Sequence, residues 1–413
     1  MTVTVGSSRE FSNLANTHPE WHEAIGSLFE EVVAIRRDLH KNPELSFQET
    51  RTAGIVSARL REWGYEVTEN VGGTGVVGLL KSGVPGPVVG LRADMDALPM
   101  MDEIAADYRS QRDGAAHTCG HDAHTAILLG VAKLYSGKGL PCGTLKLIFQ
   151  PAEEIGEGAA AMIADGALQN PKVDLMAGLH VHPTLHTGEF SVTTAEYSCA
   201  AVDIFELEVK GKGGHAAHPH QTVDPIMISA QILVALQQIV SRQVDPLDSV
   251  VLSFGQIEAG SKATIIPNSV LLKGTVRTLK PETRKEMPER MAAIASGIAQ
   301  SFGGECELDY QFITPSIKID GSARELLSDT ISELYGEDAL KISLPSMGGE
   351  DFAYFSQEVP SVFFRLGTKN GEATAFPNHN TRFDVDEQAF LYGISVLGLL
   401  TYNYLKKNEG EKG

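Results

Sequence analysis

The chain has 413 residues, 42% of them apolar, more than one compact core usually takes and enough for two domains. Its 34 lysines and arginines stand against 53 aspartates and glutamates, and the formal charge of −19 argues against nucleic acid or an anionic membrane as a partner, since both need a basic surface. Four cysteines without paired spacing (Cys119, Cys142, Cys199, Cys306), no basic-then-apolar leader and no apolar run near ~18 residues together predict a cytoplasmic protein with neither disulfide framework nor membrane span.

After a polar N-terminal stretch with no assigned role, SLFEEVVAIRRDLHKNPE shows helical apolar spacing, which Asn42-Pro43 ends. TAGIVSARLREWGYEV predicts a second helix closing near Gly64. Short apolar runs between Gly/Pro turns follow: GVVGLL (75–80), PVVGLRAD (87–94), TLKLIFQ (144–150), DLMAGLHV (174–181) and VFFRLG (362–367). Such lengths and near-continuous apolar content suit strands buried on both faces of an α/β sheet. AHTAILLGVAKLY (123–135) is a helical pattern among them. The middle of the chain changes character, reading strand (202–211), helix (224–243), strands (249–259 and 268–279), helix (281–302) and strand (304–312). That βαββαβ order is the ferredoxin-like motif. The expectation is an α/β fold: a catalytic domain with a mixed, largely parallel sheet flanked by helices (1–199 and 313–413), interrupted by a ferredoxin-like satellite domain (200–312).

Ionisable residues gather where these strands end. PVVGLRADMD closes on Asp94 and Asp96, TLKLIFQPAEE on Glu153 and Glu154, and DLMAGLHVH on His180 and His182. HTCGHDAH (117–124) precedes a helix, and His379 sits in the late loop FPNHN. Taken singly, each has a plainer explanation. Paired glutamates often mark a solvated face, Asp122 could cap the helix, and His124 could be a first-turn residue. Taken jointly, they lie where open α/β sheets bind ligands, beyond the carboxyl ends of the strands. No GxSxG elbow occurs, and a Cys119 nucleophile with a histidine base would leave the carboxylates without a role. Thiolate, imidazole and carboxylate together suit manganese, zinc, cobalt or nickel, whereas calcium and magnesium prefer oxygen. WHEAIG lacks the second histidine of HExxH, and GTGVVG (73–78) leads into a strand and turns instead of a helix, which speaks against dinucleotide binding.

RRDLHKNPELSFQE, LRADMDALP, HTCGHDAHTAILLG, FQPAEEIGEGAAAMI, GLHVHP, GKGGHAAHPH, GTVRT, GGEDFAYF and His379 occur in that order. They resemble the amidohydrolase branch of the aminoacylase/carboxypeptidase metallopeptidases, which includes hippurate hydrolases, N-acyl-amino-acid amidohydrolases and indole-acetyl-amino-acid hydrolases. The resemblance implies one or two divalent ions (Mn, Zn, Co or Ni) held by Cys119, His121, Glu154, His180 and His379, with Cys119 bridging. It implies Glu153 as general base, Asp96 as the residue orienting a ligand, and His215 as the oxyanion-stabilising histidine, which in relatives reaches the dimer partner's site. Asn268 and Arg277 resemble residues holding the substrate's carbonyl or carboxylate. Read by themselves, His215 is equally a loop histidine beside glycines and Arg277 equally half of a surface ion pair. Gly349, in GGED, would let the backbone approach a ligand, or marks an ordinary turn. The implied activity is hydrolysis of N-acyl or N-aroyl amino acids by a homodimer or higher homo-oligomer assembled through the satellite domain. The alternatives are release of ammonia from an aromatic amine and, in a different class, non-catalytic metal-dependent binding.

Overall fold

The computed structural model describes residues 11–410; the first ten residues of the unassigned N-terminal stretch lie outside them. Helix α1 (Phe11–Thr17) leads into α2 (Pro19–Lys41), which starts before the expected Ser27 because Pro19, with its fixed φ, opens its first turn. Trp21, Ile25, Val32, Ile35 and Leu39 form its buried stripe. After α3 (Thr50–Glu62) comes a hairpin of β1 (Glu66–Val71) and β2 (Gly75–Lys81). β1 reads EVTENV and buries only Val71 fully, so it carries no apolar signal. Then follow β3 (Val88–Asp94), α4 (His121–Lys138), β4 (Thr144–Gln150), α5 (Gly158–Ala164), β5 (Leu175–His186) and β6 (Phe190–Thr193).

The middle contributes β7 (Ala201–Lys210), β8 (Gly214–His215), α6 (Pro225–Gln238), β9 (Val250–Ala259), β10 (Ile265–Ile266), β11 (Ser269–Thr278), α7 (Pro281–Ser301) and β12 (Glu305–Thr314). The last part supplies α8 (Gly321–Tyr335), β13 (Leu340–Ser343), α9 (Ala353–Glu358), β14 (Ser361–Lys369) and α10 (Ala389–Lys407). Two compact units result. Among the described residues, the larger comprises those up to Glu196, Lys318–Leu344 and those from Tyr354; the smaller comprises Tyr197–Ile317 and Pro345–Ala353.

The larger unit is built on an eight-stranded mixed sheet in the order β1-β2-β4-β3-β5-β14-β6-β13. Its centre, β4-β3-β5-β14, is parallel, while β2 and β6 run antiparallel to the neighbours they join there. All seven residues of β3 are buried, as the interior of a parallel sheet requires. α4 and α10 are buried nearly all round and pack against each other and the sheet. The chain moves from β3 to β4 on one side, then returns to β5 on the other. β3 and β5 therefore flank a topological switch point, where side chains beyond their carboxyl ends share a crevice.

The smaller unit is an antiparallel sheet in the order β12-β7-β11-β9. β7 alternates strictly, its buried residues (Phe205, Leu207, Val209) packing with Ile228, Ile232 and Leu236 of α6 and Met287 and Met291 of α7. β8 and β10 form a two-residue ribbon beside it. No disulfide joins the four cysteines, and among the described residues no helix is long and apolar enough to cross a membrane.

Candidate metal centre

α4 starts at His121 because Gly120 precedes it with φ 95°, a left-handed conformation, and a Cβ there would lie 2.4 Å from Val181 Cγ2. The helix thus begins hard against β5, directly after Cys119. Asp122 caps nothing. It is wholly buried inside the helix, where it accepts from Arg36 Nε at 2.8 Å and from His40 Nδ1 at 2.7 Å. β5 runs on to His186, past the expected end near 181, because its second half stays paired with Gly367 and Lys369 of β14. His180 therefore projects from within a strand.

Two sets of potential donors share one atom. Cys119, His121 and His180 form one set and Cys119, Glu154 and His379 the other, the donor atoms of each lying within 4.8 Å of one another. Cys119 Sγ is 3.4 Å from His180 Nε2, and His379 Nε2 is 3.5 Å from Glu154 Oε2. His121 Nε2 lies 3.8 Å from Glu154 Oε1 and 3.9 Å from Glu153 Oε2. The late loop is fastened here by its backbone: His379, itself at φ 63°, donates its N–H to Thr118 O at 2.8 Å, and Asn378 Nδ2 donates to Cys119 O at 3.1 Å.

Hydrogen bonds select which ring nitrogens stay available. His180 Nδ1 donates to Val181 O at 2.7 Å and His121 Nδ1 to Asp96 Oδ1 at 3.2 Å, so each turns Nε2 inward. His124 also lies near Asp94 and His121, but both its nitrogens are engaged. Nδ1 donates to Asp94 Oδ1 at 2.6 Å, and Nε2 accepts from Val181 N at 2.9 Å. It ties α4 to β5 and has no lone pair left for a metal.

Burial dominates the electrostatics of these donors. Burial pushes the Cys119 thiol well above its ordinary range and raises Glu154. Burial opposes charge on His121, yet the ionised Asp94 and Asp96 outweigh it and hold its pKa well above that of free imidazole. Burial, with His124 beside it, keeps His180 neutral, the form that ligates. His121 Nε2 and Glu154 Oε1 are buried and have no hydrogen-bond partner. Orphaned nitrogen and oxygen donors beside a thiol fit a divalent transition metal far better than they fit one another.

Asp96 organises the carboxylate side. Besides His121, it accepts the N–H groups of Glu153 (3.1 Å) and Glu154 (3.0 Å) and the hydroxyl of Ser46 (2.7 Å). Burial alone would raise its pKa, but the His121 bond and these donors hold it below the ordinary range. Sequence reasoning missed Ser46, the Asp94–His124 pair and Asn378; a small hydroxyl or amide whose partner lies far along the chain leaves no periodic trace. His117 is buried with both ring nitrogens unpartnered, and burial pushes its pKa down to about 4.

The other candidates lie in the smaller unit, near opposite ends of β11. His215 is exposed on β8, its Nδ1 accepting from Ala217 N at 3.0 Å, and Asn268 Oδ1 accepts from Gly213 N at 2.9 Å just before β11. Arg277 is half-buried near the other end of β11, paired in register with Val202, and burial lowers its pKa. Gly349 approaches the same Val202 so closely that a Cβ would lie 2.3 Å from its Cγ2.

Residues 90–403 match the model of peptidase family M20/M25/M40. Thermostable carboxypeptidase 2 of Saccharolobus solfataricus is 38% identical, over 91% of this chain and 96% of that protein. The hippurate hydrolase of Campylobacter jejuni is likewise 38% identical, over 90% and 96%. Among solved structures, a dinuclear metal binding peptidase of the M20 family from Bacillus subtilis superposes with a TM-score of 0.81 at 33% identity, covering 92% of this chain and 99% of its own.

Proposed function

This chain belongs to peptidase family M20/M25/M40 and is a metal-dependent hydrolase acting on C–N bonds, and we propose that it cleaves N-acyl or N-aroyl amino acids. The observation that carries this reading is the junction of two donor sets at Cys119 with the carboxylate of Glu153 beside them. Likeness to a hippurate hydrolase supports the substrate class. Cys119, His121 and His180 would hold one ion and Cys119, Glu154 and His379 a second, and manganese, zinc, cobalt or nickel would serve. Bound there, the ions would supply Lewis acidity towards the amide carbonyl and the attacking water.

Glu153 takes the proton of that water and returns it to the departing nitrogen, so that the C–N bond breaks to give a carboxylate and an amine. Asp96 keeps Glu153 and Glu154 in register by holding both their N–H groups. His215 donates to the tetrahedral oxyanion, an interaction worth ~3–4 kcal/mol in comparable sites, and does so in the partner subunit of a homodimer. Asn268 and the planar fork of Arg277 hold the substrate's carbonyl and carboxylate, and the backbone at Gly349 lets the ligand come close. We read the smaller unit as a ferredoxin-like lid and dimerisation domain, a reading its βαββαβ order and strand order support.

The test is a panel of acetyl-, benzoyl- and indole-acetyl-amino acids, each with Mn, Co, Zn or Ni supplied. Release of free amino acid is expected, and release of ammonia from aromatic amines instead would overturn the proposal. Glu153→Gln should retain metal while losing roughly 10²–10⁴-fold in kcat. Wild-type turnover in that variant would remove Glu153 from its role.

A further inference from the structure

We infer that Glu49 is a positioning residue for Glu153, acting through the backbone of Ala152. This deepens the preceding reading and rests on Glu153 being the base. Three successive N–H groups enter the turn after β4, and each meets a buried carboxylate oxygen. Ala152 N donates to Glu49 Oε1 at 2.9 Å, Glu153 N to Asp96 Oδ1 at 3.1 Å and Glu154 N to Asp96 Oδ2 at 3.0 Å. Asp96 thereby fixes where residues 153 and 154 sit. Glu49 fixes the direction from which the chain reaches them.

Ala152 is where that direction is set. Its φ is 53°, in the left-handed region that residues with a Cβ rarely occupy. Glu49 Oε1 also accepts the N–H of Phe47 at 3.0 Å, and Phe47 has a φ of 59°. One oxygen thus holds two left-handed backbones, one of them immediately before the base. The other oxygen accepts from Thr74 Oγ1 in the β1–β2 hairpin, which aims the carboxylate. Glu49 itself is wholly buried, so water does not compete for these bonds. A carboxylate 103 residues away in sequence therefore keeps an unfavourable backbone conformation in place. Without it, Ala152 keeps only the bonds its carbonyl accepts from Glu157 N (3.4 Å) and Gly158 N (3.2 Å), and a shift of its φ towards negative values would turn the Glu153 carboxylate off the line of attack.

The expected results separate positioning from mere support. Glu49→Met should lower kcat at least tenfold, leave KM within about threefold and retain bound metal, because Asp96 and the donor residues are untouched. Amide exchange in segment 151–158 should accelerate. Glu49→Gln keeps an acceptor oxygen for Ala152 and should stay within about threefold of wild type. Adding Ala152→Gly to Glu49→Met should recover most of the lost kcat, since glycine adopts the left-handed conformation without help. It should do so without raising the thermal midpoint, so the recovery is not one of stability. Should Glu49→Met fail to fold, Glu49→Asp, one methylene too short to reach Ala152, carries the same comparison. Wild-type kcat and unchanged exchange at 151–158 in these variants would overturn the inference, as would a kcat loss that Ala152→Gly leaves in place. Glu153→Gln assayed alongside distinguishes the two failures. If it turns over normally, the base is misassigned; if it is inactive while Glu49→Met is not, only Glu49 is.

Discussion

His121, His124 and His180 stack and cross with ring centroids 4.6–6.1 Å apart, yet they are chemically different residues. The difference lies in what already occupies each nitrogen: Asp96 takes one from His121, Val181 O one from His180, and Asp94 with Val181 N both from His124. Residue type alone marks all three as candidates, and only the family resemblance sets His121 and His180 apart from His124. The physical reason lies in ring partners that spacing does not show: Asp94, Asp96 and Val181 N for the two histidines of α4, and the neighbouring Val181 O for His180. Cys119 is the opposite case, legible as a candidate from residue type and from its place in HTCGHDAH. Its position in both donor sets makes it the residue on which two ions would depend. Cys119→Ala should weaken binding of both metal equivalents, whereas His379→Ala should weaken one. Replacing a residue that merely orients a ligand typically costs 10–100-fold in affinity, so loss of the ligand itself should cost at least roughly a hundredfold. Metal titration against a chromophoric chelator reads this directly, and unchanged stoichiometry and affinity in Cys119→Ala would remove it from the site.

The elements that carry these residues are held by a second, buried set of charges. Arg36 of α2 is fully buried and reaches Asp122 of α4 at 2.8 Å, Asp384 at 2.8 Å and Glu387 at 3.6 Å, which joins α4 to the stretch following His379. His40, one turn further along α2, bridges Asp122 and Asp102. Removing one partner of such a buried network leaves an unpaired charge. Arg36→Met should therefore destabilise the protein by ~3–5 kcal/mol. The adjacent Arg37 makes a bidentate pair with the same Glu387, but 43% of its side chain is exposed. Arg37→Ala should cost at most ~1 kcal/mol. Urea melts of the two variants test the contrast, and equal losses would show that burial does not set the value of these pairs.

Of these elements, the central strands were legible because burial on both faces forces continuous apolar runs. β7 was legible because a half-buried strand alternates. β1 and the two-residue strands β8 and β10 were not, since exposed or very short pairings need no pattern. The Arg36 network was equally hidden: RRDLH reads as a helix surface until α4 and the 384–387 stretch close over it.

At the scale of the whole molecule, each unit keeps a core of its own, one around α2, α4, α10 and the eight-stranded sheet, the other between α6, α7 and the four-stranded sheet. Cys119, His121, Glu154, His180 and His379 all belong to the larger unit. A ligand that binds only the folded form stabilises what it binds by mass action. Free metal at a hundred times its Kd contributes ~2.7 kcal/mol. For a unit of this size that corresponds to roughly 5 °C in midpoint. The gain belongs to the unit whose unfolding releases the ion, because separate cores can melt in separate transitions. Chelation should therefore lower the transition of the larger unit and accelerate amide exchange around Cys119–His121 and Glu153–Glu154. Exchange along β7 and β11 should not change, since their bonds close within the smaller sheet. Heating scans with and without chelator, paired with exchange measured by mass spectrometry, read both units at once. Equal loss of protection in β7 and β11 would mean that the metal centre supports the smaller unit as well, and that the larger unit's five donors do not account for it alone.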